Sequence, residues 1–540
     1  MRFRLFAFLL ITLSFSARAL SAQNAAPVQW WNDRVFYEIF VRSFYDSDGD
    51  GIGDLRGVIE KLDYLNDGDP NTTDDLGITG IWLMPVTVSP TYHGYGVSDY
   101  TQIDPDYGTL DDMRALIAAA HERGIAVIID LVINHTSNQH PWFQASAAGD
   151  PEFADWYIWA DDDPDYRGPD GQTVWHPFGD RFYYGVFDSS MPDLNLNNPD
   201  VTAALYEIAR FWLEDVGVDG FRMDAVKHLI EDGQTQVNTP ATHAWLSAFD
   251  DFIDSVNDQA LTVGEVWSST FDADNYVDDS EVDMTFDFEL ANALLQSAQS
   301  QRSAGAASIT TRDFDLYPAN QFGIFLTNHD QNRIMSQLNG NVDAAKTAAS
   351  MLLLGPGVPF LYYGEEIGME GEKPDEYIRT PMQWDDTPTT AGFTTAAHPW
   401  ERLGEGSENG ISVSAQTDDP ASLLTHYRQL IALRNAHPAL QHGTFTTIDC
   451  NARSVHSFLR DNGDELLLVL INLSDEPVTD LDCEARASHL SGSFAASVIF
   501  GEASEAGELG GLEDDGGFSG YMPVASLAPF STTVIHLAPQ

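Results

Sequence analysis

Lysine is almost absent from this chain of 540 residues: Lys61, Lys227, Lys346 and Lys373 are all there is. With arginine, the basic residues number 26 against 83 Asp and Glu, a formal charge of −57. A field of that sign repels nucleic acid and anionic membrane surfaces, which excludes both as partners. Past the N-terminus no uninterrupted apolar run is long enough to span a bilayer. Cysteine is equally scarce, with only Cys450 and Cys483. In an exported chain, one disulfide and two free buried thiols both fit that pair.

What is present is the composition of an ordinary globular protein, 43% hydrophobic and 11% aromatic. Basic Arg2 and Arg4, an apolar run from Leu5 to Phe15 and the small-x-small site Ala17-Arg18-Ala19 read as a secretory signal peptide over residues 1–22. The mature protein is therefore expected to be soluble, exported to the periplasm or the medium, and monomeric. Its acidic, lysine-poor surface points to halophilic adaptation, because molar salt screens the self-repulsion.

Strand-like runs at Val35–Phe40, Ile78–Val86, Ile125–Ile133, Val218–Ala225, Leu261–Trp267, Val282–Phe288, Phe322–Thr327 and Val358–Tyr363 alternate with helical spacing. Leu110–Arg123, Val201–Asp215, Asp343–Leu354 and a last helix at Leu423–Asn435 are among the helices between and after them. That alternation predicts a (β/α)8 barrel, with its chemistry at the C-terminal ends of the strands. Residues 30–135 and 199–438 would form the barrel. Residues 136–198, rich in Trp, Tyr, Asp, Pro and Gly and without a clear helix, read as an excursion domain after the third strand. Short alternating runs from 439 to 540 predict a C-terminal antiparallel β-sandwich domain, whose acidic Glu502–Gly517 reads as a solvated loop.

Arg222 and Asp224 lie two apart in V-D-G-F-R-M-D-A-V-K-H, so on a strand both face the same way. The guanidinium is expected to lower the Asp224 pKa and keep it ionised. Alone, the two would be a structural ion pair. Asp130 and His135 close the third strand in D-L-V-I-N-H, Glu265 the fifth in V-G-E-V-W, and His329 and Asp330 the seventh in F-L-T-N-H-D. Carboxylates meeting on one rim drive at least one pKa upward, which sets an ionised nucleophile beside a protonated acid. Retaining cleavage of a glycosidic bond requires that pair.

A second pattern precedes these. Asp46, Asp48, Asp50, Ile52 and Asp54 stand at alternate positions with glycines between, the spacing of a Ca²⁺ loop. It is not an EF-hand, because Gly57 stands where a bidentate Glu belongs. A metal-free Asp/Gly turn is the alternative.

The four segments D-L-V-I-N-H, G-F-R-M-D-A-V-K-H, G-E-V-W and T-N-H-D, in this order, resemble the signature regions of the α-amylase family of glycoside hydrolases, with similarity from about Trp30 onward. The resemblance implies Asp224 as nucleophile, Glu265 as general acid/base and Asp330 as transition-state stabiliser. It implies that Arg222 orients Asp224, that Tyr95, Asp130, His135 and His329 serve the sugar at the cleavage subsite, and that Lys227 and His228 lie beyond the scissile bond. The calcium loop and R-T-P-M-Q-W-D at Arg379–Asp385 are similar to the oligo-1,6-glucosidase branch, while M-P-D-L-N at Met191–Asn195 looks like the intermediary bacterial α-amylases. Gly96 replaces the Asp by which exo-acting members grip a non-reducing end, and Ala225 and Lys227 also depart from that branch. These departures imply endo attack on the α-1,4 bonds of glucan polysaccharides or oligosaccharides. A second Ca²⁺ is implied at Asn134, Asp193 and the His228 carbonyl. The competing expectations are an exo-glucosidase or transglycosylase of the same family and, from another class, a non-catalytic glucan-binding protein.

Overall fold

The computed structural model describes residues 28–540 except 279, 319, 407, 408 and 487. The expected signal peptide lies outside the described residues.

Eight parallel strands close into a barrel: β1 (Phe36–Ile39), β2 (Gly80–Leu83), β3 (Ala126–Leu131), β4 (Gly220–Met223), β5 (Leu261–Gly264), β6 (Met284–Phe286), β7 (Phe322–Ile324) and β8 (Val358–Tyr362). Each strand pairs with its neighbours in sequence, and β8 pairs with β1. The strands are buried on both faces because helices cover the outside, so they read as continuous apolar runs. The two-residue alternation still decides what points inward. Phe36, Trp82, Ile128, Leu261, Val263, Met284, Phe286, Val358 and Phe360 pack one inner cluster. The same phase turns Glu38, Asp130 and Arg222 into the barrel near its C-terminal end. Gly80 makes room in the inner layer, since a Cβ there would stand 2.5 Å from the Phe36 ring.

The helix at Leu110–Glu122 is started by a Thr109 capping box with Asp112. The expected helix Val201–Asp215 is in two parts, an α-helix over Pro199–Arg210 and a π-helical turn over Phe211–Val216, ended by left-handed Gly217. The barrel's final long helix, Leu423–Ala436, is followed by one short helix that the sequence reading passed over, Pro438–His442.

Between β3 and β4 the chain leaves the barrel to form a three-stranded sheet of Trp159–Ala160, Arg181–Tyr184 and Trp175–Phe178. The expectation of no helix in this excursion is corrected: Pro141–Ala148 is helical. It is two turns long, too short for a 3.6-residue pattern to stand out, yet Pro141 at its first position and left-handed Gly149 at its end are the usual boundary signals. Most of the excursion's aromatic residues pack on one another, as with Trp142 on Trp156 at 4.7 Å and Phe143 on Trp159 at 5.6 Å.

The C-terminal region is antiparallel. A five-stranded sheet runs in the order Thr444–Thr447, Val455–Asp461, Leu466–Asn472, Thr532–Pro539, Phe494–Phe500. A three-stranded sheet, Asp449–Cys450, Cys483–Ala485 and Phe518–Tyr521, covers it. Cys450 and Cys483 face each other across two of these strands and form a disulfide, which decides between the two states left open by the sequence. Buried Arg460 ties this region to the barrel by donating to the Leu354 carbonyl, while its other nitrogen donates to the Gly443 carbonyl within the region.

Candidate active site

The C-terminal ends of the strands collect the predicted residues around one guanidinium. Arg222 is 1% exposed. Its Nη1 lies 2.7 Å from Asp130 Oδ1 and 2.7 Å from Asp224 Oδ1, and its Nη2 lies 2.9 Å from Glu265 Oε2. Strand register sets this up: Arg222 pairs with Asp130 on β3 and with Val263 on β5, two residues before Glu265. Ala225, directly after Asp224, adopts a left-handed backbone with φ 52°. That turn aims its amide at Glu265 Oε2, 3.0 Å away.

The electrostatics correct one expectation. Burial is the largest influence on Asp224 and pushes its carboxyl up to about 6, against the pull of Arg222 and with added repulsion from Asp130. The guanidinium therefore restrains the shift and does not reverse it, and Asp224 is ionised only above that pH. Glu265 is also raised, by burial first, with Arg222 opposing and Asp224 and Asp330 reinforcing. Asp330 goes the other way. Burial opposes its ionisation, but His329 and Arg379 outweigh it and hold its carboxyl well below the usual range. Arg379 Nη2 lies 2.8 Å from Asp330 Oδ1.

Asp130 lies beneath the cleft. Its side chain is fully buried, with Oδ1 on Arg222 and Oδ2 accepting from the Trp82 indole and the Tyr95 hydroxyl, both at 3.1 Å. Its expected place at the sugar is corrected accordingly: a carboxylate with both oxygens committed to protein donors holds up the floor. Tyr95 stacks on His329 at 5.5 Å, in a loop that left-handed Gly94 makes possible. A Cβ on Gly94 would meet Pro85 at 2.8 Å. His135 is buried and its Nε2 has no protein partner. Burial pushes it down to about 3, so the ring is neutral. Lys227 donates to the Trp267 carbonyl at 2.5 Å, and His228 faces Phe187, which also contacts His135.

Three side chains at this rim were not singled out from sequence. Glu38 on β1 is bonded to His329, Arg379 holds Asp330, and Trp267 is 45% exposed while stacked on Phe288 at 4.6 Å. Signals existed for all three, Arg379 being the first residue of the R-T-P-M-Q-W-D segment. Glu38 is an acid at an inward strand position, and Trp267 lies two residues from Glu265 and so projects to the same side.

The donor sets for the two expected cations differ. Asp46, Asp48 and Asp50 bring carboxylate oxygens within 4.8 Å of one another. Asp54 instead caps the helix Leu55–Glu60 through the Gly57 amide at 2.7 Å and takes the Ser47 amide. The Ile52 amide donates to Asp50. At the other site, Asn134 Oδ1 and Asp193 Oδ2 are buried oxygens without hydrogen-bond partners. Asp193 lies against Asn134, and burial and then Glu231 hold its carboxyl well above the usual range. Orphaned oxygens beside crowded acids are what a hard cation satisfies. Both sets fit Ca²⁺, and Glu231 joins the second as a neighbour the sequence did not single out.

The model of the family described as "Alpha amylase, catalytic domain" matches residues 38–443. The chain belongs to the α-amylase family of glycoside hydrolases. Among its relatives, Alpha-amylase 3 of Dictyoglomus thermophilum is 39% identical over 450 residues, covering 82% of this chain and 85% of that protein. The oligo-1,6-glucosidase of Parageobacillus thermoglucosidasius is 33% identical over 526 residues, covering 83% and 91%. The crystal structure of an alpha-amylase from H. orenii superposes with a TM-score of 0.79 at 40% identity, covering 93% of this chain and 99% of that one.

Proposed function

We propose that this family member is an exported, calcium-binding, retaining α-amylase that cleaves internal α-1,4 bonds of starch-like glucans. The observation that carries the chemistry is the pairing of Asp224 and Glu265 on opposite nitrogens of Arg222, at 2.7 and 2.9 Å. Two acids on one guanidinium stand close together, as retention requires. Asp224, ionised above about pH 6, attacks the anomeric carbon while protonated Glu265 gives its proton to the departing glycosidic oxygen. Water then loses a proton to Glu265 and displaces Asp224 from the sugar. Asp330, held ionised, balances positive charge on the ring as the bond breaks. His135 offers its unpartnered nitrogen to a sugar hydroxyl. Ca²⁺, when bound at Asn134 and Asp193, would brace the excursion against β3.

Endo attack is supported by two features. Gly96 has an ordinary backbone, and a Cβ there would make only normal contacts, 3.4 Å at the nearest. Its missing side chain is therefore a property of the cleft and not a demand of the turn. On the Glu265 side, exposed Trp267 offers a flat platform for a sugar beyond the scissile bond. The oligo-1,6-glucosidase relative is why the exo reading stands as the rival. A timed digest of amylose decides: a ladder of oligosaccharides from the first minutes supports endo action, and glucose alone defeats it. Full activity in Asp224→Ala would overturn the catalytic assignment.

A further inference from the structure

Glu38 is buried in the barrel, with Tyr362 and Trp82 as its register neighbours. Its Oε1 lies 2.5 Å from His329 Nδ1. The other edge of that ring faces the cleft: His329 Nε2 lies 2.8 Å from the Tyr95 hydroxyl and 3.1 Å from Asp330 Oδ2. Tyr95 has one proton, and it is committed to Asp130 Oδ2 at 3.1 Å. Asp330, held ionised, can only accept from the same ring edge at 3.1 Å, so Nε2 carries a hydrogen and the Tyr95 hydroxyl accepts from it as well. A carboxylate at 2.5 Å on Nδ1 calls for a second.

We infer that Glu38 is a positioning residue for the reaction, holding His329 as an imidazolium that donates backward to Glu38 and forward to Tyr95 and Asp330. The alternative, a protonated Glu38 donating to a neutral ring, would leave the forward bonds in place without the charge.

The surroundings of His329 favour the ion. Glu38 faces it from β1, Asp130 from β3 and Asp330 from its own loop; Arg222 from β4 and Arg379 from the loop after β8 oppose. Tyr95 lies on one face and His93 beyond it, while the neutral Trp82 ring meets its edge at 5.7 Å. Burial disfavours the charge, but Asp330 and Glu38 outweigh it and raise the ring to about 10. The positive ring keeps Asp330 ionised and fixes Tyr95 beneath the sugar. Glu38 thus acts on the cleavage subsite without touching substrate.

This rests on the glycosidase reading of the same site, and the test separates the two. In the full-length enzyme with ¹⁵N-labelled histidine, His329 is assigned by its loss in His329→Gln. At pH 8 both its ring nitrogens are expected to show protonated shifts, and in Glu38→Gln the ring is expected to titrate at least one pH unit lower. On a maltooligosaccharide, kcat should fall severalfold in Glu38→Gln with KM little changed, while the alkaline limb, set by loss of the Glu265 proton, stays in place. Glu38→Asp, which keeps the charge, should retain most of the wild-type kcat. A neutral ring in the wild type at pH 8, or the same titration in Glu38→Gln, overturns the proposal. The wild-type spectrum decides even if the variants do not fold. Absence of starch hydrolysis would defeat the glycosidase reading and leave the spectrum to judge Glu38 alone.

Discussion

Arg222 Nη2 lies 2.9 Å from Glu265 Oε2, on the guanidinium whose Nη1 is 2.7 Å from Asp224 Oδ1. Burial raises both acids and Arg222 restrains both. Below about pH 6 Asp224 holds a proton and cannot attack, so kcat/KM on a maltooligosaccharide should fall on the acid side near that value, as a property of the coupled pair. Arg222→Gln removes the restraint. The acid limb should move to higher pH, and kcat should drop by a factor on the order of 100 or more. An unmoved limb would show that other groups control it.

Raising the pH from about 4 to about 8 should destabilise the fold through Glu365. This acid, after β8, is buried and raised to about 8 by burial, with the Tyr427 hydroxyl at 2.8 Å opposing and Glu366 reinforcing. Its folded pKa exceeds its unfolded value, so the native state binds more protons between them. Stability is then fully present below about pH 4 and is lost as pH rises through about 8. Urea midpoints should decline over that window. Glu365→Gln should flatten the decline by an amount on the order of 5 kcal/mol. An equal slope in the variant would assign the loss elsewhere.

Much of this was legible in sequence because strand and helix periods differ. Arg222 and Asp224 could be placed on one face from their two-residue spacing alone, and the eight barrel strands all fall inside the runs that predicted them. What alternation does not carry is burial depth. It gave Arg222 beside Asp224 and hence a lowered pKa, whereas desolvation, invisible in a linear string, wins. The bond between Glu38 and His329 spans 291 residues. Only closure of β8 onto β1 brings them together, so neither could name the other. The helix Pro141–Ala148 escaped because two turns carry too few residues to establish a period.

The Cys450–Cys483 bond closes a separation of 33 residues in the C-terminal sheet. Loop-closure entropy puts its contribution at about 3–4 kcal/mol. Replacing both cysteines with serine should lower the thermal midpoint by that amount of stability. Specific activity at low temperature should be unchanged, because the bond lies outside the residues that build the cleft. Loss of activity in a variant that remains folded would contradict this.

Chelation should separate the two cation sites. Asn134 and Asp193 connect β3 to the excursion, whereas Asp46, Asp48 and Asp50 sit in the loop after β1. A cation at 100 times its dissociation constant stabilises the fold by about 2.7 kcal/mol. EDTA should therefore lower the thermal midpoint and added Ca²⁺ restore it. Asp193→Ala should reduce kcat as well, since Leu194 N is bonded to the Asn134 carbonyl and His135 follows directly. Asp46→Ala should lower only the midpoint. Identical melting with and without EDTA would remove the metal from both places.

Salt should stabilise this protein well beyond ordinary screening of single pairs. With 83 acids against 26 basic residues, most carboxylates have no cation to meet. The helix Pro240–Val256 alone carries Asp250, Asp251 and Asp254; burial and then neighbouring Asp283 and Asp254 raise Asp250 to about 7. Folding compresses these charges, so repulsion acts against the native state more than against the expanded chain. At 0.1 M salt the screening length is about 10 Å and spans several such neighbours, while at 1 M it is about 3 Å and isolates them. The urea midpoint should rise steadily from 0.1 to 1 M KCl, and Asp250→Asn should narrow the rise. A midpoint indifferent to salt would mean that the acidic surface costs the fold nothing, and the halophilic reading would fall with it.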